Sequence, residues 1–105
     1  MKVELTEENF NETLNAAPLV LVHFTSDFCG PCKIMKRALN ALEEKYTSRL
    51  ALAEVKAMDH PDWATAFAIQ STPTVLLFHK GKYQSRLTGA HTNQIIEEWI
   101  KEATA

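Results

Sequence analysis

Hydrophobic positions along the chain fall into short unbroken runs and into stretches where they recur every three or four residues. Leu19–Ser26 (LVLVHFTS) is a near-continuous run rich in β-branched and aromatic residues, and Leu50–Lys56 is a second. Such runs predict strands buried on both faces. Between them Met35, Leu39, Leu42 and Tyr46 repeat at helical spacing while Lys33, Lys36, Glu43 and Glu44 supply a wet side, which predicts the longest helix.

The flanking segments extend the same reading. Val3–Leu5 predicts a short strand, and Thr6 is an N-cap for a helix reaching about Asn15, with Phe10 and Leu14 on one face and Pro18 as its stop. His60-Pro61-Asp62 opens a shorter helix that packs Trp63 and Phe67. Thr74–His79 and Tyr83–Thr88, joined by Lys80-Gly81-Lys82, predict an antiparallel hairpin that Gly89 ends. Thr92 caps a last helix whose Ile95, Ile96, Trp99 and Ile100 form an apolar face. The order β-α-β-α-β-α-β-β-α, with right-handed crossovers, predicts an α/β fold: one central mixed five-stranded sheet flanked by four helices. No repeat or linker interrupts it, so residues 1–105 are expected to form a single domain.

Composition narrows the function classes. With 105 residues, 46% hydrophobic and 23% charged, the chain is long enough to bury a core without disulfide staples. The formal net charge of −2 gives no footprint for nucleic acid, and no basic run offsets it. The N-terminal MKVELTEENF is acidic and lacks a signal-like apolar core, and the longest apolar run, PLVLVHF, is too short to span a bilayer. These features point to a cytoplasmic protein with neither nucleic-acid nor membrane partners. In a reducing compartment two cysteines favour a transient redox or metal-binding role over a structural bridge.

Those two cysteines, Cys29 and Cys32, stand in FTSDFCGPCK, where the strand Leu19–Ser26 gives way to the longest helix. Unpaired amides at a helix N-terminus carry partial positive charge and stabilise a thiolate at or beside the N-cap. The i, i+3 spacing on a first turn brings both side chains to one face at a separation suited to a disulfide. Gly30 is expected to permit a tight turn, and Pro31, with no N–H to leave unpaired at a helix start, to hold the backbone. The chemistry permitted is thiol–disulfide exchange, with Cys29 as nucleophile and Cys32 as resolving thiol. A zinc site needs four ligands, and His23, His60, His79 and His91 show no H-x₃₋₅-H pairing. No metal and no cofactor beyond the cysteine pair is expected.

FCGPCK followed by a long helix, then STPTVLLFHKG and a glycine before the last helix, resembles the thioredoxin family over essentially the whole chain. The resemblance implies the thioredoxin fold and a small electron carrier that reduces protein disulfides. Its partners would be disulfide-containing proteins and a thioredoxin reductase-like electron donor. It implies a cis-proline at Pro73 facing the cysteines, a Thr72 backbone that pairs with an extended substrate segment, and Phe28 and Gly89 lining the same surface. The chain also departs from the family. His23 stands where a buried aspartate is usual, Glu54 where a lysine accompanies it, Phe28 in place of the tryptophan before the first cysteine, and Arg37 in place of a helix-kinking proline. His23 is therefore a candidate supporting residue that exchanges protons near the thiols, or else a core histidine with satisfied hydrogen bonds. Thr72 before the proline also occurs in isomerases and oxidants of the family, which leaves an oxidant or isomerase variant open. A thioredoxin-like interaction module with an incidental dithiol is the alternative from another class.

Overall fold

The computed structural model describes residues 2–105. The elements are β1 (Lys2–Glu4), α1 (Phe10–Leu14), β2 (Leu19–Thr25), α2 (Gly30–Lys45), β3 (Leu50–Lys56), α3 (Pro61–Ala66), β4 (Thr74–His79), β5 (Lys82–Thr88) and α4 (Asn93–Ala103). The sheet order is β1-β3-β2-β4-β5, with β1, β3 and β2 parallel and β4 and β5 antiparallel to their neighbours. This is the mixed five-stranded sheet with four helices that the hydrophobic pattern predicts.

Alternation along β2 sorts its side chains between two cores. Val20, Val22 and Phe24 join Ala53, Val55, Leu76 and Phe78 on one face, covered by Phe10 and Leu14 of α1 and by Trp63 and Phe67 around α3. Leu21 joins Leu52, Val75 and Leu77 on the other face, under Met35, Leu39 and Leu42 of α2 and Ile96 and Ile100 of α4. Each large apolar side chain so buried contributes about 1.5–3 kcal/mol. His23 falls on this second face by the same alternation, in register with Glu54 of β3 and Val75 of β4.

Local details refine the sequence reading. Regular helix in α1 starts at Phe10 with Asn9, not the expected Thr6, at its N-cap position; Thr6 instead bonds Asn9 across the preceding turn. The Asn9 amide donates to Thr6 Oγ1 at 3.2 Å and the Thr6 amide to Asn9 Oδ1 at 2.8 Å. A 3₁₀ turn over Ala57–Asp59, which has no counterpart in the hydrophobic pattern, precedes α3. The β4–β5 connection is the two-residue turn Lys80-Gly81, both with positive φ (52° and 80°), which matches strand twist. At α4 the expected cap forms, with the Ile95 amide donating to Thr92 Oγ1 at 3.3 Å.

Candidate active site

β2 ends at Thr25 and α2 begins at Gly30, so Ser26–Cys29 form the junction at one end of the sheet. Phe28 sits there in the left-handed region (φ 56°) with its ring fully exposed. The tight turn expected at Gly30 thus lies at Phe28. Gly30 is the first residue of α2, lacks a positive φ, and a Cβ added there would meet nothing within 4 Å. Pro31 occupies the first helical turn as expected, where its missing N–H costs nothing.

Cys29 is the N-cap of α2, and its Sγ accepts the Cys32 amide N–H at 3.1 Å. It is partly exposed, whereas Cys32 is buried at 3%. The two are joined in a disulfide, with Cα atoms 5.2 Å apart. Reduction would leave the Cys29 sulfur against a helix N-terminus and one aimed amide, an arrangement that favours a thiolate.

The segment Ser71–Pro73, before β4, closes the other side of the site. The Thr72–Pro73 bond is cis. Thr72 O lies 3.8 Å from Cys29 Sγ, and the Thr72 hydroxyl bonds the Ser26 hydroxyl at 2.7 Å. The Gly89 amide donates to Pro73 O at 2.9 Å, and Gly89 itself has φ 86°, which favours glycine. Cys29, Cys32, Phe28, Thr72, Pro73 and Gly89 therefore converge at one end of the sheet. Ser26, which clamps Thr72, has no local signature in the sequence because its partner lies 46 residues away.

His23 is 1% exposed, on the sheet face that α2 covers. Burial lowers its pKa from 6.5 to about 4, against the opposing pull of Glu54 and with a smaller push from Lys36. The imidazole is neutral at pH 7. Its Nε2 has no hydrogen-bond partner among the described residues. Glu54 and Lys36 line a 220 Å³ cavity together with Phe28, Cys29 and Cys32. Lys36 pairs with Glu54 at 3.7 Å and Lys56 with Asp27 at 3.3 Å. These pairs are solvent-exposed and contribute little stability, but they hold charge beside the cysteines.

Among the described residues no group of three or more His, Cys, Asp or Glu is arranged to hold a metal ion. No helix formed by them is long and apolar enough to cross a membrane.

Comparison with known proteins places this geometry. The thioredoxin family model matches residues 1–102. A thioredoxin of Buchnera aphidicola is 31% identical over 101 residues, spanning 95% of this chain and 94% of its own. A thioredoxin of Chlamydia caviae is 39% identical over 85 residues, 81% of each chain. Among solved structures, a mutant thioredoxin from Halobacterium salinarum superposes with a TM-score of 0.85. It matches at 22% identity, over 100% of this chain and 90% of that one.

Proposed function

The chain belongs to the thioredoxin family and is a thiol–disulfide oxidoreductase, a protein-disulfide reductase, and from that premise we propose the following division of labour among its residues. The Cys29 thiolate attacks one sulfur of a substrate disulfide, forming a mixed disulfide and releasing the other sulfur as a thiolate that takes up a proton. Cys32 then loses its proton and attacks Cys29 Sγ, forming the Cys29–Cys32 bond and expelling the second substrate sulfur. Two electrons pass from the dithiol to the substrate, and a thioredoxin reductase-like donor returns them. The observation that carries these roles is the asymmetry of the pair: Cys29 is the accessible N-cap that receives an amide N–H, and Cys32 is buried.

The supporting residues follow from their positions. Pro31 holds the first turn of α2, and Gly30 leaves open space beside Cys29 for the substrate. His23, neutral at pH 7 and buried in β2, is the proposed supporting residue for proton exchange near the thiols. Phe28, Thr72, Pro73 and Gly89 form the substrate surface, with the Thr72 backbone pairing an extended segment beside Cys29. We assign no cofactor beyond the cysteine pair, a role as electron carrier to disulfide-containing proteins, a cytoplasmic location, and residues 1–105 to a single domain. Nucleic acid and membrane are not assigned as partners.

A Cys32→Ser variant tests the roles. Mixed with a protein disulfide, it should accumulate a covalent adduct through Cys29, visible by non-reducing electrophoresis and mass spectrometry. The substituted serine forms no disulfide of its own, so failure to trap any species would show that Cys29 is not the attacking sulfur.

A further inference from the structure

We propose that the open groove between α2 and α4 receives the stretch of a disulfide-bearing polypeptide that continues beyond the cysteine captured by Cys29, selecting an apolar side chain followed by an acidic one. This rests on the oxidoreductase reading above and names the substrate feature that the same site recognises.

The groove encloses about 830 Å³ and is lined by Ile34, Arg37 and Ala38 of α2 and by Ala90, Ile95 and Glu97 of the facing loop and helix. Ile34 and Ile95 are 56% and 46% exposed, although most large apolar side chains of these two helices are buried. Two exposed β-branched side chains on opposite walls of one groove make a site for an apolar group.

Its position identifies the occupant. Gly89, hydrogen-bonded to Pro73, is followed directly by Ala90 at the groove's edge, so the groove continues the surface formed by Cys29, Thr72 and Pro73. Along α2, Ile34 lies five residues beyond Cys29 and Arg37 eight, about 7.5 Å and 12 Å of helix rise. An extended segment advancing about 3.3 Å per residue reaches these positions two to four residues from its cysteine.

Charge supplies the second element. Glu97 is neutralised locally, held by Lys45 Nζ at 3.0 Å and by the Tyr46 hydroxyl at 2.7 Å. Arg37 makes no ion pair among the described residues and is exposed. The rim therefore presents a free guanidinium, which pairs well with a carboxylate.

The test uses three synthetic substrates, each a peptide of nine residues disulfide-linked to a small thiol at a central cysteine. The first reads Glu-Leu-Leu-Gly-Cys-Gly-Leu-Leu-Glu, the second replaces leucine by serine, and the third replaces glutamate by lysine. The symmetric design makes the binding direction immaterial. Hydroxyethyl disulfide, too small to reach the groove, is the reference. The first peptide should give a kcat/KM about tenfold above the other two, and added salt should erode its advantage over the lysine peptide. In the full-length protein, Arg37→Glu should reverse the glutamate–lysine preference. Ile34→Ser with Ile95→Ser should lower the leucine-peptide rate about tenfold relative to hydroxyethyl disulfide. Equal rates for all three peptides, or losses in the variants that match those on hydroxyethyl disulfide, would overturn the proposal while leaving the redox reading intact. Concentration-dependent dimerisation abolished by Ile95→Ser, without peptide preference, would assign the groove to a second copy and also overturn it. No turnover of hydroxyethyl disulfide by the unaltered protein would mark failure of the underlying reading instead.

Discussion

Replacing His23 by leucine should remove a pH dependence of stability that the buried imidazole imposes. Folding lowers the pKa of this group from 6.5 to about 4, chiefly by desolvation. Between those values the unfolded chain holds the proton more tightly, so stability rises with pH. The contribution is fully present above pH 6.5, declines as pH falls through the window, and is gone below about pH 4. Integrated from pH 7.5 down to pH 5, the loss is about 2 kcal/mol. The charged groups facing His23 are Glu54 from β3 and Lys36 from α2, while β4 contributes the apolar Val75. Leucine also removes an unpartnered buried nitrogen, a group that costs about 1–3 kcal/mol. The variant should therefore be at least as stable as the parent at pH 7.5 and diverge upward as pH falls. Urea midpoints of the oxidised forms at pH 7.5, 6.5, 5.5 and 5, with m-values held constant, measure this directly. Curves for parent and variant that stay parallel across the series would refute the claim that the imidazole is buried in its neutral form.

Three further outcomes follow from other parts of the molecule. Leu39→Ala, at a fully buried position of α2, should cost about 2–5 kcal/mol in chemical denaturation. Gly81→Ala should cost about 1–2 kcal/mol, because φ is 80° there and the new Cβ would press on the Asn15 side chain. Equilibration with defined glutathione ratios should place the Cys29–Cys32 pair below the cytosolic glutathione poise of about −220 to −260 mV, as a disulfide reductant requires. A value well above that poise would make the protein an oxidant or isomerase.

Much of the site was legible because its chemistry is local. The end of an apolar run, two cysteines three apart and a following amphipathic helix suffice to put Cys29 at an N-cap, since each signal depends only on neighbouring residues. The turn at Lys80-Gly81 and the Thr92 cap were readable for the same reason, although Lys82, expected in the turn, already belongs to β5. Contacts set by the order of strands were not. That His23 lies beside Glu54 follows only once β2 and β3 are known to be parallel neighbours in the register Leu19 to Leu50. The left-handed backbone at Phe28 was masked by Gly30 two residues on, which offers that conformation more readily and does not take it. The α2–α4 groove needs the packing of two helices far apart in sequence, with no motif to announce it.

The same register that builds the core also sets the distance across the site. β2 and β4 are antiparallel, with Val22 opposite Leu76 and Phe24 opposite Thr74. The ladder ends at that pair, and just beyond it lie Ser26 after one strand and Thr72 before the other. Pro73 has no amide proton, so a backbone ladder cannot continue through it. The hydroxyl pair of Ser26 and Thr72 takes over, at 2.7 Å, and Thr74 Oγ1 donates to Ser71 O at 2.8 Å to hold the segment's approach. Three residues after Ser26 the chain reaches Cys29, and Thr72 O stands 3.8 Å from its sulfur. A slip of one residue between β2 and β4 would exchange the two faces of β2, expose Val22 and Phe24 to the wrong core, and carry Thr72 away from the cysteines. The close-packed side chains that forbid that slip are therefore what keeps Thr72 O beside the Cys29 sulfur.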